Sequence, residues 1–98
     1  MTTATADREG DILRVRGELD FDSVADLWER VGPLFRADPI RRIDLSEVSR
    51  ANSAGVALLV VWLRQARQQR RDLVFVNVPA QMRAIIEVAD LDTVLPMA

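Results

Sequence analysis

Ninety-eight residues, 49% of them hydrophobic and 29% charged, with a formal net charge of −2, read as one modest globular domain over residues 1–98. Histidine, cysteine and lysine are absent, which excludes a thiolate nucleophile, an imidazole general base and any imidazole or thiolate metal site. The 13 basic side chains are all arginine, scattered among 15 acidic ones with only Arg41-Arg42 and Arg70-Arg71 adjacent, so no broad footprint for nucleic acid is present.

In chain order, a first strand is expected over roughly Thr3 to Arg8, with Gly10-Asp11 placed to close a hairpin. Ile12 to Arg16 alternates, Leu13 and Val15 to one side and the arginines to the other, as a half-buried strand does. After Gly17-Glu18-Leu19-Asp20, the residues Val24, Leu27, Trp28, Val31 and Phe35 recur at helical spacing, with Asp22 or Ser23 as N-cap. Gly32-Pro33 should end or bend that helix, because proline lacks the backbone donor and crowds the preceding turn.

Arg42 to Leu45 alternates again, and a polar loop is expected to follow it. Ser53 to Gln69 is the longest helix signal, rich in Ala, Leu, Arg and Gln. Leu73 to Val76 is continuously apolar, as a central strand would be. Pro79 suits the first turn of a last helix whose inward stripe is Met82, Ile85, Ile86 and Ala89, and Asp92 to Leu95 closes the chain. Strands joined through helices imply parallel pairs, and strands with one polar face imply helices on one side only. The expected fold is α/β, a mixed, mainly parallel sheet of four to five strands with helices packed on one face.

Little here can do chemistry. A receiver-type phosphoacceptor domain would offer Asp44 but needs a lysine, and so does a P-loop. Asp20, Asp22 and Asp44 can in principle hold a hard cation, although turn, cap and solvated strand positions account for them more simply. No catalytic residue, metal or cofactor is assigned. The first ten residues carry no apolar h-region, and the longest apolar run, Val56 to Leu63, falls far short of the roughly 20 residues a bilayer requires. A cytoplasmic protein without membrane insertion is expected.

The segment from Asp44-Leu45-Ser46 to Asn52-Ser53-Ala54-Gly55 resembles the signature of the STAS domain family, in which a strand ending D-[LF]-S leads to a D-S/T-x-G helix start. Gly17-Glu18-Leu19-Asp20 and the element order resemble that family too. Leu27-Trp28-Glu29, Gly55-Val56-Ala57-Leu58-Leu59 and Val94-Leu95-Pro96 are similar to its Mla branch, the accessory subunit of a Gram-negative phospholipid-transport complex. That resemblance implies a non-catalytic module that binds the ABC transporter ATPase subunit (MlaF-like) and, through it, the membrane permease (MlaE-like), in a system serving outer-membrane lipid asymmetry. The alternative is an anti-sigma-factor antagonist switched by phosphorylation of Ser53. Asn52 departs from the aspartate of that switch motif, and Asn52 or Ser53 also suits a plain helix cap.

On a helical projection from Val56, the residues Val56, Leu59, Val60 and Leu63 share the face expected against the sheet. Leu58 and Val61 then point away from it in line with Ala54, and Trp62 falls on a flank. An apolar face beside a functional loop suggests an interface; alternatively, neighbouring helices cover these residues. The expected partner-binding surface comprises Trp28, Asn52, Ser53, Ala54, Gly55, Leu58, Val61 and Trp62, with Trp28 at the edge of its helix's core stripe.

Overall fold

Strands β1 (Ala4–Glu9) and β2 (Ile12–Leu19) form an antiparallel hairpin with Glu9 facing Ile12, leaving Gly10 and Asp11 as a two-residue loop. Gly10 takes a φ of 61°, a left-handed value that a two-residue hairpin loop requires and glycine adopts without strain. The computed structural model describes residues 4–98, so the expected strand start at Thr3 lies outside the described residues.

Helix α1 (Phe21–Ala37) is capped by Asp20, two or three residues before the expected Asp22 or Ser23. The Asp20 carboxylate accepts the backbone N–H groups of Asp22 (2.9 Å) and Ser23 (3.0 Å), and the Ser23 hydroxyl accepts the Asp20 N–H at 3.0 Å. This reciprocal capping box explains why the Gly17-to-Asp20 turn feeds directly into the helix. Pro33 does not end α1, which continues to Ala37. It lies on the exposed side, where the carbonyl it leaves unpaired can meet water.

The remaining elements are β3 (Arg42–Ala51), α2 (Ser53–Gln68), β4 (Val74–Val76) and α3 (Ala80–Val88), in the expected order. The sheet runs β1-β2-β3-β4, with β1 antiparallel to β2 and both other pairings parallel. Two differences stand out. The stretch after Leu45, expected as a loop, remains strand to Ala51, because register irregularities after Arg14 and Gly17 let β2 keep pairing with it. Strand β4 is the last full strand of the sheet, not a central one: its apolar run is sheltered by the chain end, with Phe75 N–H donating to Pro96 O (2.8 Å) and Ala98 N–H to Phe75 O (3.0 Å).

Leu13, Val15, Ile43, Leu45 and Phe75 are fully buried on the helix-covered face, where α1 packs on β1 and β2 while α2 and α3 pack on β3. The alternate residues form an open face bearing Arg14–Glu9 (3.4 Å) and Arg16–Asp7 (3.5 Å) ion pairs and an Arg16–Glu47 contact. Such exposed pairs contribute at most about 1 kcal/mol each. Burial of the apolar face contributes far more, about 1.5–3 kcal/mol for each large aliphatic side chain.

Candidate functional site

The site is built where β3 turns into α2. Asn52 is the N-cap: its Oδ1 accepts the Ala54 N–H at 2.9 Å, while its own N–H donates to Leu19 O at 3.0 Å. Capping therefore falls to Asn52, and Ser53, the first helical residue, is left exposed. Gly55 is buried where α2 crosses the end of β2. A Cβ there would lie 2.8 Å from the Leu19 Cβ and 3.2 Å from its carbonyl oxygen, so only glycine lets the helix start this close to the sheet.

Gln81 of α3 fixes the end of β3, a residue no sequence pattern singled out. Its Oε1 accepts the Ala51 N–H at 2.9 Å, and its Nε2 donates to the Ala51 carbonyl at 2.6 Å. Strand β4 pairs with β3 only as far as Asp44, so the Gln81 amide supplies the partner that Ala51 lacks.

The exposed face of α2 differs from the expected one. Leu58 is 3% exposed and Trp62 is fully buried, because α1 lies alongside α2 and covers the flank that a sheet alone would leave open. The rings of Phe35 and Trp62 stack with centroids 6.1 Å apart. The helix is thus buried on two adjoining sides, and its free side is turned by roughly a fifth of a revolution from the projected one. It is centred on Ser53, Ala57 and Val61, each exposed and spaced by four residues.

This ridge separates two apolar grooves that share Ala57 and Val61. The groove against α1, about 310 Å³, is lined by Phe21, Val24, Ala25, Trp28, Ala54 and Leu58 in addition to that pair. The groove against α3, about 380 Å³, takes Ser53, Val56, Val60, Ile85, Ala89 and Leu91. Phe21 is 74% exposed and Val61 39%, large apolar surfaces for a small protein.

Of the eight residues expected to bind a partner, Ser53 and Val61 are exposed, and Asn52 and Trp28 are half-buried. Ala54 and Leu58 show only an edge in the α1 groove, and Gly55 and Trp62 belong to the interior. Phe21, Ala57 and Ile85 are additions. Phe21 was legible as an apolar residue seven before Trp28, on a line displaced from the Leu27, Val31, Phe35 stripe.

Asp44 lies away from this surface, on the open face of the sheet. Burial alone would raise its pKa, but the Ser46 N–H (2.9 Å), the Asn77 amide (3.2 Å) and the nearby Arg14 charge outweigh it and hold the carboxyl below its ordinary value. Among the described residues no cluster of acidic side chains is arranged to hold a metal ion, and no helix is long and apolar enough to cross a membrane.

A family model described as "Mlab, STAS domain" matches residues 2–96. The MlaB proteins of Escherichia coli (strain K12) and Shigella flexneri, each named an intermembrane phospholipid transport system binding protein, are 34% identical over 88 residues, covering 89% of this chain and 89% of theirs. Solved structures that share the fold include two anti-sigma factor antagonists. The anti-sigma factor antagonist SpoIIAA in its unphosphorylated form has a TM-score of 0.73 at 17% identity, covering 97% of this chain and 87% of its own. An anti-sigma factor antagonist from Mycobacterium paratuberculosis has a TM-score of 0.73 at 22% identity, covering 99% and 85%. With nearly its whole length matched to that model, the chain belongs to the MlaB family of STAS domains.

Proposed function

We propose that this protein is a non-catalytic accessory subunit of an ABC phospholipid transporter, docking through the exposed ridge of α2 on the transporter's cytoplasmic ATPase and through it supporting the membrane permease. The observation that carries this reading is the ridge of Ser53, Ala57 and Val61 between two apolar grooves, presented beside the family's strand-to-helix segment. The phospholipid-transport names of the 34% identical relatives support the same direction. Fully burying an exposed side chain of this kind is worth about 1.5–3 kcal/mol, and covering Phe21 and Val61 would gain the share of it that their 74% and 39% exposure leaves, before the entropy of association is subtracted. Trp28, half-buried on the groove wall, supplies the rigid aromatic surface that interface centres favour.

The test is co-purification of the ATPase with the full chain and with Val61→Arg or Ala57→Arg. A charge on the ridge should abolish recovery while the subunit keeps its unfolding midpoint. Recovery at wild-type stoichiometry would remove this face from the interface.

A second reading has one observation in its favour. Ser53 is exposed at the first position of α2, where a phosphate would meet the positive end of the helix dipole. This would suit an antagonist switched by a serine kinase. Phosphate on Ser53 in cells, together with a sigma regulator in place of the ATPase among co-purified proteins, would establish that reading over the first.

A further inference from the structure

Arg42 and Arg71 are 29 positions apart in the sequence, yet the fold brings them together at one end of the molecule, remote from the Asn52 turn. The Val74 N–H donates to Arg41 O at 3.0 Å, which ties the start of β4 to the start of β3 beneath the last turn of α2. Arg41, Arg42, Arg67 and Arg71 line a depression of about 470 Å³ whose acidic members are Asp11 and Asp72. Arg41 faces Asp11 at 3.9 Å, and Arg71 donates to the Phe35 carbonyl at 3.2 Å. Arg42 and Arg67 make no ion pair and no side-chain hydrogen bond with any described residue. Arg64 stands in the adjoining hollow, which also shares Arg67.

A cation in the last turn of a helix is accounted for by the helix dipole, which explains Arg67 alone. It does not explain two arginines brought there by a strand start in a chain whose net charge is negative. Guanidinium groups gathered at one site repel one another, and a phosphate relieves that repulsion while accepting paired N–H bonds from each planar fork. We propose that this depression binds a phosphate-bearing anion, with Arg42 and Arg67 as its principal ligands and Arg41 and Arg71 as flanking charge. The phosphate belongs either to a soluble compound or to a lipid headgroup at a membrane surface. The site is separate from the α2 ridge and independent of how that ridge is used.

Calorimetric titration of the full chain with inorganic pyrophosphate at about 0.1 M ionic strength, where charges are screened beyond about 10 Å, tests the soluble source. Flotation with phosphatidylcholine vesicles, with and without phosphatidylglycerol, tests the headgroup. Binding in either arm is expected, and Arg42→Gln/Arg67→Gln should weaken it at least about tenfold through the loss of charge-assisted hydrogen bonds. The charge-matched variant Arg16→Gln/Arg50→Gln, altered on the open face and at the opposite end of β3, should stay within about twofold, since screening confines the effect of distant exposed charges. Arg67→Gln alone, at an exposed helical position, carries the same expectation at smaller amplitude. Pyrophosphate binding without flotation assigns a soluble ligand, and flotation confined to phosphatidylglycerol vesicles assigns a headgroup. No binding in either arm, or equal weakening by the two double variants, would overturn the proposal.

Discussion

Leu58 and Val61 are three residues apart on one helix, and the structure assigns them opposite consequences. Leu58 is 3% exposed in the seam between α1 and α2, close to Trp28, whereas Val61 lies on the ridge at 39%. Leu58→Ala removes three carbon groups from a packed seam. At about 0.8 kcal/mol for each buried methylene the transfer loss is about 2 kcal/mol, and the unfilled cavity brings the total to about 2–5 kcal/mol. For a chain of this size each kcal/mol lowers the midpoint by about 4–8 °C, so Leu58→Ala should melt at least about 8 °C below the parent. Val61→Arg, a surface change, should stay within about 0.5 kcal/mol and affect only association. Thermal and urea unfolding of both variants, paired with ATPase co-purification, separates the two effects. A Leu58→Ala midpoint equal to the parent's would refute the packing of α1 over α2, and with it the position of the free ridge.

Three further outcomes follow from the site. Gln81→Ala leaves the Ala51 N–H and carbonyl without their side-chain partner and should cost about 1–3 kcal/mol, with faster hydrogen exchange at the Ala51 amide; unchanged exchange would argue against the clamp. Asn52→Ala should destabilise by about 1 kcal/mol through loss of the cap, while Ser53→Ala, which removes no side-chain bond to the described residues, should be close to neutral; the reverse order in urea titrations would reassign the cap. Asp44 has a folded-state pKa below its unfolded value of about 3.9, so its stabilisation is complete well above that pH and disappears as pH falls through the folded value. The stability gap between parent and Asp44→Asn should therefore be constant near neutrality and shrink below about pH 4; a gap unchanged to pH 2 would contradict the lowered pKa.

Much of the strand-to-helix segment was legible because its determinants are local. Asn52 is a cap by its chemistry, and alternation at Leu13, Val15, Ile43 and Leu45 identifies a sheet with one buried face. The order of elements and the one-sided packing of helices follow from the same patterns. Helix α1 survives Pro33 because the carbonyl left unpaired faces water, and the strand continues beyond Leu45 because pairing with β2 overrides local preference.

Other features depend on which parts of the chain meet. A helical projection orders residues around an axis but cannot say how many sides are covered, so Leu58 and Trp62 pass from expected contact to core once α1 lies against them. The Gln81 clamp joins residues 30 apart with no periodic signal. Arg41, Arg42, Arg67 and Arg71, unremarkable in sequence, line one depression when two strand starts and a helix end converge. Composition alone determined which chemistry this protein lacks, since residue types that are absent cannot be supplied by folding. Only the tertiary structure decided which face of α2 stays exposed, because exposure is set by every element packed nearby rather than by the helix that carries the residues.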